Sequence, residues 1–141
     1  MDLYTGMDIL SAGLSAERVR MNVTASNLAN LNTTRTEAGG PYRRLDPVLT
    51  SERLRPSFGE LLDSQVRSVR VSSIEADPSE PRQVHDPGHP DADADGFVQL
   101  PNINMVEEMV NMITASRTYE AGVTAMQSLK TIASRALAIG R

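Results

Sequence analysis

Residues 3–31, LYTGMDILSAGLSAERVRMNVTASNLANL, carry the pattern on which the fold turns. Leu3, Met7, Leu10, Leu14, Glu17, Met21, Thr24, Leu28 and Leu31 step alternately by four and three, and seven of these nine are apolar. Such spacing keeps one seam against a partner helix over several turns. A second apolar line, Ile9, Ala12, Ala16, Val19 and Val23, runs beside the first and widens the face beyond what one partner covers. The pattern predicts a helix from about Leu3 to Asn30, with Gly6 and Gly13 as soft spots. Its end is expected where Asn27, Asn30, Asn32, Thr33 and Thr34 compete for backbone hydrogen bonds.

The other end of the chain repeats the device. Met105, Met109, Met112, Ser116, Tyr119, Val123, Met126, Lys130, Ala133 and Leu137 follow the same spacing, with eight apolar in ten. Asn102 or Asn104 is expected to cap this second helix, and Glu107 and Glu108 fall in its first turns, where the helix dipole favours acids. It should close near Gly140, beside Arg135 and Arg141. All eight prolines lie between Pro41 and Pro101, so neither terminal segment contains a helix breaker.

Between them the composition turns to Pro, Gly, Ser, Asp and Arg. Gln65–Ile74 and Gly96–Leu100 read as strands. DPSEPR and HDPGHPDADADG are too dense in proline and aspartate for regular structure. The expected organisation is residues 1–34 as an N-terminal helix, 35–101 as a proline-rich middle with short strands, and 102–141 as a C-terminal helix. The expected class is α+β: two long helices packing as a coiled coil, with a small irregular β-containing segment between.

Bulk composition narrows the function. The 141 residues include only five aromatics, so a compact core would rest on Leu, Val, Ile, Met and Ala, and part of the apolar surface is read as meant for neighbours. The net charge of −4 divides as −1 over 1–34, −4 over 35–100 and +1 over 101–141, and Arg43 with Arg44 is too small a patch to bind nucleic acid. With no cysteine there is no disulfide, thiol catalysis or thiolate metal site. Asp2 and Asp8 stand where a secretory signal needs positive charge, and no run approaches the ~20 apolar residues of a membrane span.

The one constellation suggesting chemistry is His85, Asp86, His89, Asp91, Asp93 and Asp95. Asp91, Asp93, Asp95 and Gly96 match the first, third, fifth and sixth positions of a calcium loop. The match fails further on. Asn102 stands where a bidentate Glu is needed, Pro101 lies inside the loop, and Pro87 and Pro90 exclude an entering helix. Asx turns are the expected use of these carboxylates, with no metal or other cofactor. Both histidines lie in this loop and no nucleophile motif occurs elsewhere, so no catalytic residues are assigned.

GLSAERVRMNVTASNLANLNTTRT at 13–36, with its Asn-Leu-Ala-Asn followed by Asn-Thr-Thr, resembles the N-terminal signature of the bacterial flagellar axial proteins, the rod and hook family. GGPYRR at 39–44, the stretch from His85 to Ala121 and the closing ALAIGR resemble its proximal rod members. The likeness covers about two thirds of the chain; residues 45–83 match weakly, where Leu45, Pro47 and LRPSFGELLD replace a more β-rich run.

The resemblance implies a non-enzymatic structural subunit of the flagellar basal-body proximal rod. It would leave the cytoplasm through the type III export apparatus, without a cleaved signal, and assemble in the periplasm into the shaft that transmits torque. Implied partners are other copies of itself and neighbouring FlgB-like, FlgF-like, FlgG-like and FliE-like rod proteins. The implied assembly interface comprises Leu3, Met7, Leu10, Leu14, Met21, Asn27, Leu28 and Asn30 with Met105, Met109, Met112, Tyr119, Val123, Met126 and Leu137. On the same reading Leu10, Leu14, Met21 and Leu28 face Met109, Met112, Val123 and Met126 of the same chain or a neighbour. His85, Asp86, Pro87, His89, Pro90 and Asp91 would form a rigid connector into the second helix. The alternatives are another rod subunit, FlgB-like or distal, and a coiled-coil export chaperone or adaptor.

Overall fold

The computed structural model describes residues 3–53 and 66–139. The order is α1 (Leu3–Ala29), β1 (Leu45–Arg53), β2 (Arg67–Ala76), β3 (Arg82–His85), β4 (Phe97–Leu100) and α2 (Met105–Ile139). This is an α+β arrangement of two long terminal helices around a small β segment. Gln65, all of LRPSFGELLD, Gly140 and Arg141 lie outside the described residues, and so does the expected helix stop.

The two helices pack antiparallel. Leu129 Cδ1 approaches Gly6, Leu14 lies on Gly122, and Asn27 meets Glu108, so the start of α1 lies by the last third of α2. Gly122 makes the middle contact possible: a Cβ there would stand 2.9 Å from Leu14 Cδ2. Asn104 is the cap of α2, its Oδ1 accepting from the Val106 N–H at 3.1 Å, while Asn102 is not.

The apolar core is small. Among the described residues, only Ala16, Val23, Val98, Ile103 and Ala115 are buried hydrophobics. Ala16 and Val23 belong to the second apolar line of α1. On α2 the expected stripe is corrected by one position at alternate steps. The side turned toward α1 carries Glu108, Ala115, Gly122 and Leu129. The stripe names their neighbours Met109, Ser116, Val123 and Lys130; Met112, Tyr119 and Met126, which it also names, are half-buried. The shift has two physical causes. Glu108 is drawn inward by buried partners, and the small Ala115 and Gly122 admit a closer backbone approach than larger residues would.

The middle segment forms two separate two-stranded antiparallel sheets, β1–β2 and β3–β4. The β1–β2 ribbon runs from Leu45↔Ala76 to Arg53↔Arg67, with an irregularity between Val48 and Leu49, and packs against α1. In the smaller pair Arg82 opposes Leu100 and His85 opposes Phe97, whose rings meet edge to face at 5.1 Å. The expected strands correspond to β2 and β4, whereas β1 and β3 were not expected. Pro47 sits inside β1, which is tolerated because β1 is an edge strand of a two-stranded ribbon. β3 is four residues lodged between two proline-rich runs.

Candidate functional site

Among the described residues, side-chain hydrogen bonds concentrate where α1 ends, β1 begins and α2 starts. Asn27 is 1 % exposed and uses its whole amide. Its Nδ2 donates to the Leu45 carbonyl at 2.8 Å and to Glu108 Oε2 at 3.2 Å. Its Oδ1 accepts from the Leu45 N–H at 2.9 Å and the Tyr42 hydroxyl at 3.1 Å. One side chain thus mimics a strand neighbour for Leu45 while holding the second helix. Tyr42 Oη also lies 3.2 Å from Ser26 Oγ.

Glu108, likewise 1 % exposed, receives Arg44 Nε at 2.8 Å on its other oxygen. A buried carboxylate is tolerated only when paired and hydrogen-bonded, and Glu108 is both. Burial works against the Arg44 charge. The hydrogen bond and charge of Glu108, with the charges of Asp46 and Glu107, outweigh it and hold the guanidinium above its ordinary value. The Arg44 carbonyl accepts from the Asp77 N–H at 2.7 Å, which ties the end of β2 into the same junction.

The signature asparagines and threonines are also structural. Asn30 Nδ2 donates to the Ser26 carbonyl at 2.9 Å, and Thr33 Oγ1 to Asn30 Oδ1 at 3.1 Å. Thr34 Oγ1 then donates to Asp91 Oδ2 at 2.7 Å, joining the turn after α1 to the aspartate loop. In that loop the carboxylates of Asp86 and Asp93 serve the backbone. Asp86 Oδ1 accepts from Gly88 N–H, and Asp93 Oδ1 from the N–H groups of Asp95 and Phe97. These are Asx turns. No cluster of three potential ligands suited to a metal occurs among the described residues.

The loop closes on Gly96, whose φ of +80° lies in the left-handed region and whose added Cβ would meet Pro87 at 3.1 Å and His85 Nε2 at 3.2 Å. Gly96→Ala is therefore expected to destabilise by about 1–3 kcal/mol, from backbone strain and crowding together. A denaturant midpoint unchanged from the unsubstituted chain would contradict this.

Apart from Asn27 and Asn30, which are bonded as described above, the expected interface residues divide into two groups. Leu3, Met7, Leu10, Leu14, Met21 and Leu28 are half-buried along α1, as are Met112, Tyr119, Val123 and Met126 on α2. Met105, Met109 and Leu137 are exposed, and with Val106, Val110 and Ile113 the first two form an uncovered apolar face on the first half of α2. In the connector, His89 is half-buried and the other named residues are exposed. Sequence reasoning missed Tyr42, Arg44 and Glu108 as a set. The available signal was an acid falling seven residues before Ala115 on the inward line, with an arginine pair elsewhere lacking a partner.

Comparison with known proteins addresses this architecture directly. A family model described as flagella basal body rod protein matches residues 7–35, and one described as flagellar basal body rod FlgEFG protein C-terminal matches residues 94–139. The chain is 43% identical to the flagellar basal-body rod protein FlgC of Borreliella burgdorferi, over 99% of this chain and 98% of that protein. The chain belongs to the FlgC family of flagellar basal-body rod proteins. It is also 41% identical to FlgC of Bacillus subtilis and 34% identical to FlgC of Salmonella typhimurium, each over 100% of both chains. The two family-model matches span most of α1 with the turn after it, and β4 with α2. Asn27 falls in the first and Glu108 in the second, so the junction bonds one matched segment to the other. No helix among the described residues is long and apolar enough to cross a membrane.

Proposed function

We propose that this chain is a structural subunit of the proximal part of the flagellar basal-body rod, polymerising through its terminal helices into the hollow shaft that transmits torque from motor to hook and filament. The observation that carries the reading is full-length similarity to FlgC proteins, combined with two terminal helices whose apolar faces outrun their intrachain cover. It acts by assembly, without catalysis. Copies of itself and neighbouring FlgB-like, FlgF-like, FlgG-like and FliE-like rod proteins would supply the missing cover. The chain would reach the periplasm through the flagellar type III export apparatus. Head-to-tail contacts that do not close generate helical tubes, the symmetry required of such a shaft.

A tagged, functional copy is expected to co-purify with isolated basal bodies, and cryo-electron microscopy should place side-chain density for residues 85–121 in the rod. Recovery only in small soluble cytoplasmic complexes would instead indicate an export chaperone or adaptor. A solution prediction follows from the small core. With five buried apolar residues in the described structure, the isolated monomer should show far less helix by circular dichroism than α1 and α2 together would give. A stable, fully helical monomer would count against the need for neighbours.

A further inference from the structure

The α1–α2 pairing has one register, in which few apolar side chains are fully buried. Gly6 with Leu129, Leu14 with Gly122 and Asn27 with Glu108 give paired residue numbers that add to 135 or 136 along the hairpin. Sliding one helix past the other by a heptad, about 10 Å, makes the pairs add to 128 or 129. Gly6 then faces Gly122, Gly13 faces Ala115 and Arg20 faces Glu108. Small residues oppose small ones, allowing close approach, and the partly exposed Arg20, already 3.9 Å from Glu17, gains a second carboxylate. Among the described residues the fully buried apolar side chains of the two helices are Ala16, Val23 and Ala115, and the slip would exchange the fit of Leu14 on Gly122 for one on the equally small Ala115.

What the slip cannot keep is the junction. Glu108 would leave Arg44 and Asn27, and Asn27 would face the segment before α2. Arg44 and Leu45 cannot follow, because Asp77 and Ala76 fix them in the β1–β2 ribbon. A buried polar group that finds its partner in only one register is the best-attested way for a helix pair to specify alignment. We propose that Asn27 and Glu108, held by the start of β1, form a register lock that selects one of two heptad-related pairings of the terminal helices. The lock acts through geometry within one chain and stands independently of the rod reading.

The chain has no cysteine, so introduced pairs report register cleanly. Leu10→Cys with Met126→Cys reads the native alignment, and Leu10→Cys with Tyr119→Cys reads the slipped one. Oxidation of dilute full-length chain traps whichever alignment is populated, even where helix formation is partial. Native cross-linking should exceed slipped cross-linking about tenfold, and Asn27→Leu should bring the two within about twofold. Glu108→Leu removes the other half of the lock and should shift the ratio in the same direction, which guards against one variant failing to fold. An unchanged ratio in either variant overturns the lock. So does loss of both cross-links in both variants, since the network would then merely hold the helices together.

Discussion

Asn27→Ala is expected to destabilise the chain by about 3 kcal/mol or more, and to abolish swimming although the residue reaches no surface. The substitution strips partners from the Leu45 N–H and carbonyl, the Tyr42 hydroxyl and Glu108 Oε2. A fully buried polar group left unsatisfied costs about 1–3 kcal/mol, and the part-buried Leu45 and Tyr42 groups cost less. The total falls short of four full penalties, because Tyr42 keeps Ser26 and Glu108 keeps Arg44. Against the roughly 5–15 kcal/mol that holds a typical domain together, the loss is large. Guanidinium unfolding of the purified variant and a soft-agar motility assay measure it. A swimming strain whose variant unfolds within 1 kcal/mol of the parent would make the junction incidental.

Leu14→Asp should also stop motility while leaving synthesis intact. Leu14 rests on the bare backbone of Gly122, and a carboxylate in its place would lie against that helix with no dedicated partner. Arg18, one turn along and lining the same shallow hollow, would screen it in part. Lost packing and an ill-matched charge together are expected to cost about 2–4 kcal/mol. Leu14→Ala, which removes packing without adding charge, should be milder. If the Asp strain swims normally, Leu14 has no part in the interface; if the protein is absent from cells, the defect is one of synthesis or turnover.

The two helices were legible because a heptad of large apolar residues survives in both, uninterrupted by proline. β2 was legible from its β-branched run, and β4 from Phe97, Val98 and Leu100 between turn formers. β1 was hidden by Pro47, which reads as a strand breaker until its edge position is known. The inward line of α2 was misplaced by one residue at alternate steps because strict heptad spacing leads to Met109 and Val123, whereas the fold turns Glu108, Ala115 and Gly122 inward for pairing and close approach. The asparagines were singled out for the turn after α1, yet Asn27 does something spacing cannot reveal. Its partners lie 15, 18 and 81 residues away, and their full convergence exists only once α2 has packed back along α1.

The antiparallel return of α2 along α1 has a consequence for timing. Whether the chain emerges from a ribosome or threads through a narrow pore, one half of the hairpin arrives long before the other. The leading helix must travel uncovered, and closure waits on the trailing one. Emergence therefore acts as a clock: no early fragment of this polypeptide can rehearse its final shape.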